Sequence, residues 1–295
     1  MDNIKKGYYL NFLSVVMMAI GPLVSKFGLL HISPGKAALI NTVTIIVVSY
    51  LWGVFTKNTV TFYVEKEVIL LALFNACGVI FLFMSMDLLS PVEVGFLGRF
   101  YTVFAVVLSV FILKEKMTKT EIIFIVLALF GAFMFVGEGA DWQASLVGSL
   151  FAILYTFFFA LTNVYIKKTL TIGRESNSIL FTNNCITAIF VLVYSMLAGE
   201  LFDPNYPVNG VLLIVLSSII TGFLGTILLY EALKYLRFSI ANISRALSPL
   251  LLAVISFPFF PIKLTIWNVT GAILLMVSVL LLSVGEKKKQ GKEEK

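Results

Sequence analysis

Long apolar runs alternate with short polar connectors along almost the whole chain. A helix that crosses a bilayer needs about 20 apolar residues, at about 1.5 Å of rise per residue. Ten runs meet this requirement and predict ten transmembrane helices. Their bounds are 8–30, 34–56, 67–88, 92–113, 120–137, 145–166, 176–199, 209–233, 239–259 and 264–285. The connectors carry the proline, glycine and acidic residues typical of turns. None of them is long enough to form a soluble domain.

The composition also predicts an all-α integral membrane protein. Hydrophobic residues make up 59% of the 295 residues and charged residues 13%, against roughly 45–50% and about 25% in soluble domains. The two cysteines, Cys77 and Cys185, lie within apolar runs and predict no disulfide framework. The formal charge of +6 does not indicate a nucleic-acid partner, because the lysines cluster at helix ends and in the tail.

The distribution of lysine and arginine predicts the orientation of the helices. If the N-terminus is cytosolic, 17 of the 22 basic residues fall on the cytoplasmic side, and only Lys26, Lys36 and Lys263 fall on the outer side. Short cytoplasmic loops carry such an excess in membrane proteins. The sequence therefore predicts a multi-pass protein of the plasma or inner membrane with both termini cytoplasmic. Residues 286–295 are predicted to be a charged, disordered cytoplasmic tail.

The two halves of the chain share one layout. Residues 7–26 line up with 148–167 at an offset of 141, and helices three to five line up with helices eight to ten at an offset of 146. Five spans per half is an odd number, so the second half must be inverted relative to the first. The sequence thus predicts two inverted five-helix repeats, 1–139 and 145–285, with a substrate site near the midplane between them.

Two arginines lie inside apolar runs, at matching positions of the two halves. They are Arg99 and Arg245, and each is followed three residues later by a hydroxyl side chain, Thr102 or Ser248. A charge at bilayer depth costs about 2.5–3.5 kcal/mol even on insertion scales, which marks it as a functional candidate. Residues three apart share a helix face, and guanidinium can bind a carboxylate or phosphate through two hydrogen bonds. These four residues are therefore predicted to bind substrate.

Internal pairing is the alternative for both arginines. Arg99 could meet Glu93 or Asp87, Arg245 could meet Glu231, and long side chains can also reach the interface. Asp87 and Glu231 are in addition the candidates for carrying a coupling proton. The other interpretation of these two carboxylates is that they are solvated charges at helix ends.

Three further residues are candidates for substrate contact. Gly21 precedes Pro22 in the first span, and a helix broken there could free backbone groups for a ligand or simply be kinked. Asn163, at the aligned place of the sixth span, could bind substrate or a neighbouring helix. Tyr101 could form part of a cavity wall or face lipid. No nucleotide-binding loop, metal-ligand spacing or nucleophile motif appears, so no cofactor, metal or enzymatic activity is predicted.

Three short segments carry a resemblance to a known family. They are LKEKMT at 113–118, YEALKY at 230–235 and ALSPLL at 246–251. With the layout of five plus five helices, the chain resembles the EamA-type branch of the drug/metabolite transporter superfamily. The resemblance implies a secondary transporter whose cavity is lined mainly by helices one, three, four, six, eight and nine, with five and ten peripheral. The family does not usually need an arginine in helices four and nine, which favours a substrate role for both.

The predicted function is transport of a small polar metabolite by alternating access, as two inverted halves rock around a central site. The substrate would be anionic or zwitterionic, such as an amino acid or an organic acid, if the arginines face the cavity. Proton coupling, exchange and facilitated diffusion all remain open. The predicted partners are the small-molecule substrate and the lipid bilayer, with the protein a monomer or homodimer. Alternatives are a flippase for lipids or lipid carriers, a channel, and an integral membrane enzyme.

Overall fold

The computed structural model describes most of the chain, and its regular structure there is helical. The described residues are 3–112, 119–135, 142–171, 173–235, 248–260 and 265–293. The helices are α1 (Asn3–Leu29), α2 (Pro34–Phe55), α3 (Lys66–Leu88), α4 (Pro91–Leu97), α5 (Phe100–Ile112), α6 (Lys119–Phe135), α7 (Trp142–Thr171), α8 (Ser176–Leu197), a 3-10 turn (Glu200–Phe202), α9 (Val208–Ser217), a π-helical segment (Ser218–Gly225), α10 (Thr226–Leu233), α11 (Ser248–Ser256) and α12 (Ile266–Glu293).

Six stretches in the described part of the chain are long and apolar enough to cross a bilayer. They are Lys5–Leu29, Pro34–Phe55, Lys66–Leu88, Leu146–Ile166, Ser176–Leu197 and Val208–Ala232. Ile122–Gly131 and Ile266–Leu281 are shorter apolar stretches. Less than half of each long stretch is buried, so the remainder presents apolar side chains outward. A helix satisfies its own backbone groups, as lipid requires. The prediction of an all-α, multi-pass membrane protein is confirmed.

The fourth predicted span, 92–113, is not one continuous helix. α4 ends at Leu97 and α5 begins at Phe100, so Arg99 lies in a break of two residues. The backbone N–H of Arg99 donates to the carbonyl of Phe96 at 3.0 Å, and this bond spans three residues where an α-helix spans four. Long apolar stretches lie on both sides of the break, which is why the hydrophobic pattern did not reveal it.

The eighth span is continuous but changes its winding in the middle. α9 passes into the π-helical segment Ser218–Gly225, which leads into α10. The Thr226 hydroxyl donates to the carbonyl of Thr221, five residues earlier, at 3.2 Å. Single π-helical turns inside helices are rare and occur often at functional sites.

The C-terminal tail differs from its prediction. α12 continues to Glu293, so the prediction that residues from 286 onward are disordered is wrong over most of the tail. Its lysine, glutamate and glutamine residues are all good helix formers, and an existing helix extends easily because no new nucleus is needed. The first part of the ninth predicted span, 239–247, lies outside the described residues. The bounds of α2, α3 and α8 agree with the predictions to within two residues.

The helices pack in pairs that join the two halves of the chain. α1 packs on α9, on the π-helical segment, on α10 and on α11, while α3 packs on α7 and α8. α5 packs on α7, α2 on α8 and α6 on α12. Three hydroxyls fix α1 to its partners, through the bonds Ser14 to Gly225 O (2.6 Å), Ser217 to Gly21 O (2.9 Å) and Thr221 to Met17 O (3.2 Å).

Two loop contacts hold the beginnings of α2 and α8. In the first, the α2 junction, the Lys36 ammonium donates to the Asp203 carboxylate and to the Asn205 carbonyl, both at 2.7 Å, and lies 4.3 Å from the centroid of the Tyr206 ring. The N–H of Gly35 also donates to a carboxylate of this loop, at 2.6 Å.

In the second contact, the α8 junction, the extended segment after α2 runs along the beginning of α8. The N–H groups of Thr61 and Tyr63 donate to the hydroxyls of Ser178 and Thr182, both at 3.1 Å. At the edge of this junction lies the ion pair of Arg174 with Glu65. Each junction therefore joins a loop of one half of the chain to a helix of the other.

Candidate functional site

A cavity of about 310 Å³ lies between the helices, at the lower end of the range for small-molecule sites. Its described wall comes from α1, α2, α3, α4, α5, α7, α8, the span from α9 to α10, and α11. None of the described wall residues belongs to α6 or α12, as the family resemblance implied. The wall also includes α2 and α8, which the resemblance did not place among the main lining helices.

The structure brings six of the seven predicted substrate-binding residues together in this wall. They are Gly21, Arg99, Tyr101, Thr102, Asn163 and Ser248. Arg245, the seventh, lies outside the described residues. Gly95 and Gly98 also line the cavity with Arg99 and Thr102. This part of the wall is therefore formed by residues on both sides of the break and not by one continuous helix.

Arg99 is presented by the break between α4 and α5, and α7 supports that break. The Tyr155 hydroxyl donates to the carbonyl of Val94 at 3.0 Å. A Cβ atom at Gly98 would lie 2.5 Å from the Tyr155 hydroxyl oxygen, so glycine is what allows this approach. Among the described wall residues Arg99 is the only charged side chain. An apolar surrounding strengthens the field of a charge relative to water.

The acidic residues proposed as pairing or coupling partners lie near helix ends. Glu93 closes a capping box with Ser90, accepting from the Ser90 N–H at 2.8 Å. Glu231 accepts from the Lys234 ammonium at 2.6 Å. Asp87 is exposed at the end of α3, and its backbone carbonyl accepts from a lysine ammonium at 2.8 Å. Neither Asp87 nor Glu231 is a wall residue of the cavity.

Gly21 lines the cavity, and it is also a point of close contact between α1 and the π-helical segment. A Cβ atom there would lie 1.4 Å from the Thr221 hydroxyl oxygen, so any larger residue would force the helices apart. The Gly21 carbonyl accepts from the Ser217 hydroxyl at 2.9 Å. The backbone group that the sequence offered to a ligand is thus engaged in helix packing.

The wall contains polar residues that sequence reasoning did not assign to the site. Asn75 is the clearest, a single carboxamide in the middle of the apolar helix α3. The repeat offset of 146 places Asn75 on Thr221, another wall residue, and this signal could have found both. Asn41 and Asn183 also line the cavity from α2 and α8, although pattern alone favours a structural role for them.

Comparison with known proteins agrees with this arrangement. The sequence profile described as the EamA-like transporter family matches residues 5–137 and again 146–284. The chain belongs to the EamA-like transporter family. Uncharacterized transporter YcxC of Bacillus subtilis (strain 168) is 27% identical over 218 residues, which cover 68% of this chain and 67% of that protein.

A second relative of this family member comes from Acidianus ambivalens. The uncharacterized transporter in the sor 3′ region is 26% identical over 194 residues, covering 63% of this chain and 74% of the relative. A solved crystal structure superposes with a TM-score of 0.66 over 94% of this chain and 96% of its own, at 14% identity, which shows a shared fold. This EamA-like protein is accordingly a membrane transporter.

Proposed function

We propose that this EamA-like protein is a secondary transporter that carries a small polar metabolite with an anionic group by alternating access. The position of Arg99 in the cavity wall is the observation that carries the proposal. A guanidinium in a water-poor cavity binds a carboxylate or phosphate through charge-assisted hydrogen bonds. Because neither Asp87 nor Glu231 lines the cavity, transport by exchange or facilitated diffusion is favoured over coupling through these carboxylates.

The proposal includes ten spans arranged as two inverted five-helix repeats, 1–139 and 145–285. The family profile matches the chain twice, once in each proposed repeat. The wall residues of α1 are Val15, Met18, Gly21, Pro22 and Ser25. The offset of 141 places these on Thr156, Phe159, Thr162, Asn163 and Ile166 of α7, and all five also line the cavity.

The packing pairs support the same arrangement. Exchanging the two proposed repeats turns the pair of α1 with the α9–α10 span into the pair of α7 with α3, and both occur. The same exchange turns α5 with α7 into α11 with α1, and leaves α2 with α8 and α6 with α12 unchanged. Substrate sites between inverted repeats lie near the midplane. The clustering of basic residues supports cytoplasmic termini, with 286–295 as a cytoplasmic tail. The proposal also includes a location in the plasma or inner membrane and a monomeric or homodimeric state.

Arg99→Gln tests this function. Proteoliposomes containing the full chain are loaded with a mixture of organic acids, amino acids and neutral metabolites, and efflux of each is followed by mass spectrometry. We expect efflux of the anionic and zwitterionic substrates to fall by roughly tenfold or more, because a hydrogen bond to a charged group contributes about 1.5–3 kcal/mol. Arg174→Gln removes an exposed guanidinium outside the cavity and serves as the matched control. Unchanged efflux of the anionic substrates from Arg99→Gln liposomes would contradict the proposal.

A further inference from the structure

Five hydroxyl groups of the cavity wall share one property, which is that each donates its proton to a backbone carbonyl. Those of Thr156, Thr162 and Ser217 donate to backbone carbonyls at 2.7, 2.9 and 2.9 Å. Those of Thr221 and Thr226 do the same, both at 3.2 Å. A hydroxyl has one proton and two lone pairs. Once its proton is bound to the backbone, it can offer a ligand only a hydrogen-bond acceptor.

The carboxamides on one side of the cavity are turned in a similar way. The side-chain nitrogens of Asn163 and Asn184 donate to backbone carbonyls of their own helices, at 2.7 and 2.9 Å. The nitrogen of Asn75 donates to the Thr187 hydroxyl at 3.1 Å. In each case the amide oxygen remains as the acceptor. The Asn183 oxygen lies 3.4 Å from the Thr187 hydroxyl, whose proton goes to a carbonyl of α3 at 3.2 Å.

These carboxamides lie at one level of the cavity, because α3, α7 and α8 are bonded together there. The Thr162 hydroxyl contacts the Leu71 carbonyl of α3 at 3.4 Å, and the Thr187 hydroxyl donates to the Ala72 carbonyl at 3.2 Å. Asn163 lies eight residues after Tyr155, which contacts the end of α4. Eight residues of helix span roughly 12 Å. The carboxamides are therefore separated along α7 from the place where α7 contacts the break that carries Arg99.

We propose that the cavity selects a substrate that pairs one anionic group with several N–H or O–H donors. Arg99 would bind the anionic group, and the acceptor-rich wall would bind the donors of an ammonium, hydroxyl or amide group. A second anionic group, whether carboxylate or phosphate, would face hydrogen-bond acceptors in this wall. It would lose its hydration and gain no hydrogen-bond donors in return. Polyanions and simple fatty acids are therefore expected to bind more weakly than such a substrate. This inference rests on the proposed function and narrows its substrate class.

A matched set of six-carbon acids tests the inference on the purified full chain in detergent. Hexanoate has no donor, adipate adds a second carboxylate, 6-aminohexanoate adds an ammonium and gluconate adds hydroxyls. Isothermal titration calorimetry is expected to show 6-aminohexanoate and gluconate binding at least roughly tenfold more tightly than hexanoate, because a site with buried polar groups discriminates against analogues that leave them unpaired. Adipate is expected to bind no more tightly than hexanoate. Tight binding of adipate, or equal or undetectable binding of all four acids, would overturn the inference.

Variants separate this inference from the proposed function. Thr162→Val and Asn163→Leu should reduce the advantage of gluconate and 6-aminohexanoate by several-fold while leaving hexanoate affinity unchanged. Thr169→Val is the matched control, since Thr169 makes the same bond to its own helix at 2.9 Å, is buried in α7 and lies outside the cavity wall. Arg99→Gln should weaken all four acids alike. If it leaves all four unchanged, the proposed function fails even where the wall variants behave as expected.

Discussion

The α2 junction and the α8 junction are equivalent contacts that are held by different chemistry. Each joins the beginning of a helix to the loop that follows the partner helix of the other half. The α2 junction buries an ammonium, since the Lys36 side chain is 1% exposed while its partner Asp203 is 55% exposed. The α8 junction uses buried hydroxyls instead, and its ion pair lies at the surface. The fold thus sets where the loops attach, and the local burial decides which groups hold them.

The two charged partners of the α2 junction differ in burial, because the ammonium is buried and the carboxylate is exposed. Removing water from a charge is costly, and a buried charge that loses its counter-ion is strongly destabilising. A carboxylate that loses its partner but stays half in water loses much less. The two sides of the same hydrogen bond should therefore respond differently to substitution.

The largest expected effect is that of Asp203→Asn. It leaves the buried Lys36 ammonium with only neutral partners, and the thermal midpoint of the purified protein should fall by roughly 5 °C. Lys36→Met removes the charge together with its desolvation cost, so its midpoint should fall less. Both midpoints are measured by thermal unfolding in detergent. A larger fall for Lys36→Met than for Asp203→Asn would show that the ammonium is not the costly partner.

An intermediate effect is expected at the hydroxyls of the α8 junction. Thr182→Val removes the acceptor for the Tyr63 N–H without changing the side-chain shape, and a lost hydrogen bond of this kind destabilises by about 1 kcal/mol. Thr42→Val is the control, because the buried Thr42 hydroxyl bonds only within its own helix. Chemical unfolding of both variants compares the two losses. Equal losses would mean that the loop contact adds nothing to the stability of the junction.

The smallest effect of substitution is expected at the exposed pair of Arg174 with Glu65. Their side chains are 40% and 33% exposed, and exposed pairs contribute about 0–1 kcal/mol. Glu65→Gln should lower the unfolding midpoint by less than Asp203→Asn or Thr182→Val. The difference in midpoint between Glu65→Gln and the native protein should disappear in high salt. A loss of stability that does not depend on salt would contradict the assignment of this pair as an exposed one.

The α2 junction should not respond to pH in the physiological range. Hydrogen bonds from the Lys36 ammonium and from the Asn205 N–H hold the pKa of the Asp203 carboxyl below its usual value. A carboxyl with a lowered folded-state pKa stabilises the fold fully above its unfolded pKa of about 3.9, and that contribution is lost as the pH falls further. The difference in midpoint between the native protein and Asp203→Asn should be constant from about pH 5 to 8. It should shrink only below about pH 4, and a difference that changes near neutrality would contradict this assignment.

The hydrophobic pattern predicts most of the helices because membrane spans have a fixed minimum length. The bounds of α2, α3 and α8 follow from it closely. The break before Phe100 does not, because long apolar stretches flank it on both sides and the turn is stabilised by the contact of α4 with Tyr155. Such a contact joins residues far apart in sequence and leaves no local signal.

The site was predictable where it contains a charge. Arg99 is conspicuous in an apolar helix, and Thr102 and Ser248 follow from helix periodicity and the repeat. Asn75 is a neutral carboxamide that could equally bond to a neighbouring helix, so composition gives it no special status. The orientation of its amide, which decides what it offers a ligand, depends on the position of Thr187 in another helix.

The close packing of α1 at Gly21 has a consequence for movement. Because α1 is bonded to α9 and the π-helical segment, and α7 is packed against α3, each of the two bodies in the proposed alternating-access movement would contain a helix from the other half of the chain. The segments that bend in this movement would then be the connectors that leave α1 and α7. The second of these contains Gly173 with φ of 81°, a conformation that glycine adopts without strain.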